Sequence, residues 1–462
     1  MPASLLVFQM TDIIYRGYPN DRRASRFAAV TTNLGEVFLP ETAPFPVVSS
    51  RIRWRDTLLS LRSREYQWYA AGLVFASIGG WFARIATDWL VLELTHDVAM
   101  VGLVIAVQLL PPTVFGAWGG VISDWIAPKT MLVLTQLAFA VLYVWLGLLV
   151  GTGSAEKFWI LVISVLIGFV SCIEGPSRAV LTYQAVGVRM LPNAISLNAV
   201  LPQLGGILGT VFVGVVMSVF GIKAAVFVAA LCLLVSAVSV ARIHTARLEV
   251  RPNTKPGMGH IRDALRYVIR KPSIVLSLLM ISVLSVSGLQ ASVLNAWMAD
   301  SKFHTGAAGY SLFATLGTIG ALIGGVLSAR RRRISVFDNA VMLGVSGLIW
   351  LSCGLTPWLA PFLGGLLISG VLRMLFLVGN DTLTQLSSNA AIRGRIVALY
   401  LTVVTGGQVL GSVLMGWMVS ELGADVTFVI TGVVPLVVAV AICLFLWNRS
   451  RRLGRESMHL LE

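Results

Sequence analysis

Long apolar runs, each separated from the next by a short polar segment, constrain this sequence more than any other feature. They begin near Tyr66 and end near Trp447. About twelve of them reach the roughly twenty residues that an α-helix needs to cross a bilayer. With 56% hydrophobic and 12% charged residues, a water-soluble fold would expose apolar surface over most of its exterior, so an ordinary globular protein is excluded. We predict an all-α integral membrane protein of about twelve transmembrane helices.

A polar stretch in the middle of the chain divides the runs into two sets of six. We therefore predict an N-terminal six-helix bundle over 66–243, a cytoplasmic linker over 244–272, a C-terminal six-helix bundle over 273–447 and a cytoplasmic tail over 448–462. Residues 1–65 have mixed polarity and no sustained apolar period, which predicts a largely disordered cytoplasmic extension. Within the linker, His260–Arg270 has the spacing of an amphipathic helix on the membrane surface, with partner binding as the alternative.

The net charge of +14 is concentrated in alternate loops and does not form one basic face, so nucleic-acid binding is not predicted. The basic residues lie before the first run, in every second loop and after the last run, all on one side of the membrane. They include Arg51, Arg62, Arg64, Lys129, Arg189, Arg330 to Arg333, Arg393, Arg395 and Arg449 to Arg455. The positive-inside rule then places both termini in the cytoplasm of a multi-pass protein of the cell's inner (plasma) membrane.

Motifs typical of soluble enzymes and nucleotide-binding proteins are missing from the sequence. There is no GxxxxGK[ST] phosphate loop, HExxH motif, paired CxxC or GxSxG elbow, and the five histidines are scattered. The four cysteines lie inside apolar runs, where packing is the simpler role. We predict no enzyme activity and no cofactor or metal, so energy for any transport would come from an ion gradient, a substrate gradient or a partner protein.

Ionisable residues inside the apolar runs indicate where function lies, because a charge in hydrocarbon is costly. Arg84 and Asp88 in the first run stand four apart, one helical turn, and are expected to pair on one face. Two interpretations are open. The pair locks the first helix in place, or Asp88 gains and loses a proton as a cavity changes sides.

Two further runs carry such groups. Glu174 and Arg178 flank Pro176 in the fourth run and would brace a helix bend or an inner gate. In the tenth run, Asp381 and Gln385 form a polar stripe that lines either the transport pathway or a cytoplasmic vestibule, and Arg373 needs a partner of its own. Among the uncharged polar residues of the runs that would bridge helices or contact substrate is Gln108.

Glycines cluster within two runs, at Gly205–Gly209 and Gly317–Gly325. Small residues let helices approach closely in lipid, so the first interpretation is helix packing. The alternative is that smooth surfaces let helices slide during a conformational cycle.

The segment Gly119–Leu132 resembles the signature loop of the major facilitator superfamily. Gly120, Ile122, Asp124, Lys129 and Leu132 match it, whereas Trp125, Ala127 and Pro128 depart from it. Four strings, Trp81–Thr95, Glu174–Arg178, Leu191–Val200 and Arg393–Tyr400, resemble the transmembrane secretion effector subfamily, which contains bacterial enterobactin exporters and macrolide efflux proteins. Together the likeness extends over 66–447.

This resemblance implies two pseudo-symmetric six-helix bundles, a cavity at the bilayer midplane, and export of an amphipathic compound coupled to proton entry. It also implies an inner gate in which Asp124 meets Arg178, Arg393 or Arg395, with Gly120, Lys129 and Glu174 nearby. The sequence departs from the drug exporters of the superfamily at Gly209 and Thr210, where they carry a glycine–proline antiporter motif.

The function predicted from these residues is proton-linked export of a lipophilic or amphipathic small molecule, such as a drug, siderophore or metabolite. The partners are then that substrate, the proton and membrane lipids, and the transporter is a monomer. The cavity residues are Arg84, Asp88, Asp381, Gln385 and Gln108. Uptake of a nutrient by symport or facilitated diffusion, lipid scrambling, and a non-transporting sensor or accessory subunit are the alternatives.

Overall fold

Helices that cross a bilayer make up nearly all of the computed structural model, which describes residues 59–123, 126–244, 266–269, 271–289, 291–331, 334–388 and 393–459. After a 3₁₀ turn at Leu59–Arg62, the first helices are α1 (Arg64–Thr95), α2 (Val98–Ser123) and α3 (Pro128–Thr152). The continuous stretch Lys157–Ala241 follows. The prediction for residues 1–58 lies outside the described residues.

Two glycines divide that long stretch into three helices. At Gly187 and Gly221 the backbone has φ 69, ψ 176 and φ 80, ψ 174, a positive-φ conformation that glycine adopts without steric cost. The pieces are α4 (157–186), α5 (188–220) and α6 (222–241). Eleven helices in the described ranges are long and apolar enough to cross a membrane, and one of them, Asn193–Ala241, has 49 residues, about twice what one crossing needs. Its division at Gly221 therefore gives twelve crossings.

The second half begins with α7 (Pro272–Lys302), in which α-helix is interrupted around Gly288 and ends in a π-helical turn at Met298–Lys302. It continues with α8 (Gly306–Ala329), α9 (Val336–Leu355), α10 (Leu359–Leu386), α11 (Arg393–Leu422) and α12 (Ala424–His459). Helix α12 extends into residues predicted as a tail, although its membrane-crossing part ends at Asn448. The all-α prediction with two sets of six helices is confirmed.

Local signals explain where the helices begin and end. Ser63 caps α1, its hydroxyl accepting from the Tyr66 N–H at 3.4 Å, and Pro128 and Pro272 stand in the first turns of α3 and α7, where no amide donor is needed. Of the predicted linker helix, the structure describes only 266–269, a helical turn. Val268 is buried there beside Ile274, and Ile269 is 70% exposed.

Because successive helices run in opposite directions, the molecule has two ends. We call the end at which α6 leads into the linker the linker side, and the end with the α1–α2 loop the far side. Large apolar side chains such as Val141 and Val219, each 65% exposed, cover the outer faces of the helices, as contact with lipid tails requires.

Glycines bring helices of each half into close contact. A methyl group added at Gly320 would lie 2.2 Å from the Leu367 carbonyl oxygen, and one at Gly205 would lie 2.8 Å from Ser77 Cβ. Both distances are too short for a side chain, so α8 against α10 and α1 against α5 approach through backbone. The predicted packing role of the two glycine clusters is confirmed at these positions.

The two halves meet along two lines of contact toward the far side, which together we call the far-side seam. In the first, a methyl group added at Gly102 of α2 would lie 2.2 Å from the Ser412 carbonyl oxygen of α11, and Gly416 lies against Ala99. In the second, the Ser311 hydroxyl of α8 donates to the Thr210 carbonyl of α5. These contacts hold the halves together on the far side.

Candidate functional site

Asp88 lies at the boundary between the two halves. It is 3% exposed in the far-side part of α1, and its carboxylate accepts a 2.8 Å hydrogen bond from the hydroxyl of Tyr310 on α8. Tyr310 is itself buried and stacks against Trp89, with ring centroids 6.1 Å apart. A buried polar bond between elements 222 residues apart in the chain therefore ties the N-terminal half to the C-terminal half.

Arg84 does not pair with Asp88. Both residues are in the described part of the chain, and no nitrogen–oxygen contact within 4.0 Å joins them. Instead, the Arg84 guanidinium donates to the Ser292 hydroxyl of α7 at 3.4 Å and lies 6.0 Å from the Trp81 ring centroid. The expected direct pair is replaced because each side chain finds a partner in the opposite half, which helical spacing alone cannot reveal.

A cavity of about 110 Å³ lies between α1 and the C-terminal half. We call it the inter-half chamber. Its lining combines aromatic and aliphatic side chains with hydroxyls, one amide and two arginines, namely Trp81, Arg84, Ile85, Ser292, Asn295, Tyr310, Phe313, Thr318, Ser346, Trp350, Leu366, Ser369 and Arg373 among others. Such a mixture of apolar walls and few polar groups is typical of small-molecule sites.

A second cavity, of about 450 Å³, lies within the N-terminal half, and Arg84 lines it as well. We call it the N-half chamber. The predicted cavity residue Gln108 lines it, together with Glu174 and Arg178. Glu174 and Arg178 form an ion pair one turn apart, and Gln136 donates to the same Glu174 oxygen at 2.8 Å. This pair therefore faces a cavity, while α4 continues as helix through Pro176.

The other residues of the predicted inner gate are spread out. Lys129 donates to the Ile243 carbonyl at 2.6 Å and so caps the end of α6. Gly120 lies in the last turns of α2. Asp124 and the Arg393 side chain lie outside the described residues, so the gate stays a prediction.

Asp381 and Gln385 are joined on α10 by a 3.0 Å bond from the Gln385 amide to the Asp381 carboxylate. Neither residue lines the inter-half chamber or the N-half chamber. Arg373, two turns earlier on the same helix, does line the inter-half chamber. On α10, Arg373 therefore belongs to the candidate site, whereas the predicted polar stripe of Asp381 and Gln385 lies apart from it.

Tyr310 and Ser292 are the site residues that sequence reasoning missed. Each is a neutral polar residue in a mostly apolar run, and nothing in its spacing indicates a partner in the other half. A tyrosine among small residues in an otherwise aliphatic run was the available signal, since a buried phenol requires a hydrogen-bond partner.

Breaking the Glu174–Arg178 pair tests whether it braces the fold. Arg178→Gln leaves a carboxylate with one neutral partner, and we expect it to lower the free energy of unfolding by about 1–3 kcal/mol. The double variant Glu174→Gln/Arg178→Gln should recover about 1 kcal/mol of that loss, because no charge is left unpaired. Thermal unfolding in detergent micelles measures both. Unchanged stability together with lost transport would instead assign the pair to a gate.

The fold and its cavity define a class of membrane protein, the secondary transporters of the major facilitator superfamily. Residues 56–456 match the family model described as transmembrane secretion effector. The chain belongs to this family, and the predicted resemblance is confirmed.

Solved structures share the fold. A bacterial homologue of the human lysosomal transporter Spinster, in an inward-facing and unoccupied conformation, is 15% identical, with a TM-score of 0.63 over 87% of this chain and 98% of that one. The nucleoside transporter NupG is 13% identical, with a TM-score of 0.64 over 82% of this chain and 97% of that one.

Among characterised proteins, the Staphyloferrin A transporter of Staphylococcus aureus (strain NCTC 8325 / PS 47) is 22% identical over 181 residues, 39% of this chain. The match spans 45% of that relative's length.

Proposed function

We propose that this protein is a secondary active exporter of a lipophilic or amphipathic small molecule, driven by proton antiport. The observation that carries the proposal is the buried Asp88–Tyr310 bond, which joins a titratable group to the contact between the two halves. The family description, a secretion effector, supports export. The name of the staphylococcal relative contains a siderophore. This supports a metabolite of that kind, as well as drugs, as the substrate.

The orientation follows from charge. Lys129, Arg330 and Arg395 lie on the linker side together with the basic linker, and the far-side loops and helix ends carry acidic residues such as Asp97 and Asp425. The positive-inside rule places the linker side, and with it both termini, in the cytoplasm of the inner membrane. In that orientation the far-side seam closes the outer end.

Alternating access then requires the far-side seam to part. Opening separates Gly102 from Ser412 and Thr210 from Ser311, and it removes Tyr310 from Asp88. The carboxylate loses its donor and meets outside water, from which it takes a proton. When the seam closes again, the phenol returns, and the proton leaves toward the cytoplasm. One proton enters for each substrate exported, and a monomer in contact only with lipid is sufficient for the cycle.

Dye transport in oriented proteoliposomes tests this proposal. With the linker side outward and the lumen one pH unit more acidic, we expect 6-carboxyfluorescein or rhodamine 123, two amphipathic xanthene dyes of opposite charge, to accumulate in the lumen. One proton per dye corresponds to about 1.4 kcal/mol, or about tenfold accumulation. A protonophore should abolish it.

The opposite outcomes separate the alternatives. Accumulation only when the far side faces outward indicates an uptake symporter, and equilibration without accumulation indicates a facilitator. If neither dye crosses faster than in protein-free vesicles, in either orientation, the proposed export of amphipathic compounds is contradicted, and a sensor or accessory role is favoured.

A further inference from the structure

The inter-half chamber has an excess of positive charge. Two arginines line it, Arg84 from α1 and Arg373 from α10, and its lining contains no carboxylate. Both guanidinium groups therefore belong to the lining of one cavity. Asp88, one turn from Arg84, offsets part of this charge, yet its oxygen is bonded to Tyr310. Arg373 therefore has no acidic counterpart in the chamber.

Arg373 also has no polar partner in the described part of the chain, where it makes no hydrogen bond and no ion pair. A guanidinium group held inside a membrane protein without a partner is costly, because its charge is removed from water and uncompensated. An arginine that is kept in a cavity at such a cost is typical of a site whose missing partner is a ligand.

A second residue of the chamber has an unpartnered polar atom. Asn295 is 7% exposed, and its side-chain oxygen has no hydrogen-bond partner. It lines the chamber together with the hydroxyls of Ser346 and Ser369. A ligand that enters would thus find two cationic forks, an amide, several hydroxyls and the rings of Trp81 and Trp350.

From these contacts we propose that the substrate is an organic anion, an amphipathic molecule whose carboxylate binds between Arg84 and Arg373. The guanidinium fork matches a carboxylate with two parallel hydrogen bonds. The inter-half chamber, at about 110 Å³, holds the anionic group, and the N-half chamber, at about 450 Å³, takes the rest of the molecule, since Arg84 lines both. This inference deepens the proposed export function and rests on it.

Binding of the same two xanthene dyes tests the inference separately from transport. Rhodamine 123 carries its carboxylate as an ester and is a cation, whereas 6-carboxyfluorescein is an anion. By fluorescence anisotropy of the full chain in detergent, we expect the anion to bind at least about tenfold more tightly than the cation. Arg373→Gln should weaken the anion about tenfold and leave the cation unweakened, and Arg373→Lys should retain part of the preference because it keeps the charge.

Arg330→Gln is the matched control, because Arg330 is an exposed arginine at the end of α8 and away from the chamber, and it should leave both affinities unchanged. Retained cation binding in Arg373→Gln shows that the variant is folded. Equal binding of the two dyes to the unmodified chain, or an equal loss of both in Arg373→Gln, overturns the anion inference and leaves export intact. Anion-selective binding without movement of either dye across vesicles supports the inference and contradicts the export function.

Discussion

Replacing Asp88 by asparagine is expected to abolish accumulation of substrate against its gradient, from about tenfold at one pH unit to none. Asparagine has nearly the same shape as aspartate and still accepts a hydrogen bond from Tyr310, but it cannot carry a proton. Exchange of dye between equal concentrations should continue, within about threefold of the unmodified rate, because parting of the far-side seam does not itself require titration. Dye flux in oriented proteoliposomes, with and without a pH gradient, measures both quantities.

Glu93→Gln is the control for this change. Glu93 lies further along the same helix and is exposed, so its neutralisation should leave accumulation as it was. Should Asp88→Asn, correctly inserted, still couple dye movement to the pH gradient, Asp88 is a structural group and another residue carries the proton. Tyr310→Phe supplies a second test, since it keeps the carboxylate and removes the donor across the halves.

A single methyl group at Gly102 is expected to slow transport by about tenfold or more. In Gly102→Ala the new Cβ would lie 2.2 Å from the Ser412 carbonyl oxygen, well inside van der Waals contact, and α2 and α11 would have to move apart. Overpacking of this kind costs about 1–3 kcal/mol. Because the cost falls only on the state with the far-side seam closed, the population shifts toward the state that is open on the far side.

Gly116→Ala is the matched control on the same helix. A methyl group there meets nothing within 4 Å, whereas the gain in helix propensity is the same at both positions, about 1 kcal/mol. Spin labels at Glu93→Cys and Ser420→Cys, on the far-side ends of α1 and α11, should show a longer distance in Gly102→Ala and no change in Gly116→Ala. Unchanged distance and unchanged flux in Gly102→Ala would refute the role of the far-side seam in the cycle.

The all-α fold and its number of helices could be predicted because bilayer thickness fixes how many apolar residues a crossing needs. Where a helix is divided at a glycine, as at Gly221, two predicted runs appear as one continuous stretch in the structure. The boundaries near Arg64 and Ala241 differ from prediction by only a few residues, since capping and polar residues mark them. The outer faces of the helices must also be apolar because they contact lipid, a constraint that soluble proteins lack.

The candidate site was predictable only in part. Charge inside an apolar run singled out Arg84 and Asp88 as cavity residues, since desolvation makes such residues rare, whereas for Arg373 it indicated only the need for a partner. Their partners were not predictable, because Tyr310 and Ser292 belong to the other half and spacing along one helix carries no information about it. The same limit explains why Asp381 and Gln385, a conspicuous polar pair in sequence, lie outside both chambers.

One line of the far-side seam is built from glycines and a main-chain carbonyl group at Gly102, Ser412 and Gly416, while the arginines that would recognise a ligand lie on other helices. The rate of transport and the selectivity for a ligand would thus depend on different parts of the molecule. Protein engineers who alter the size of residues along the seam would change how often the transporter turns over, and those who exchange the arginines would change which ligand it binds. Each adjustment would leave the other property in place.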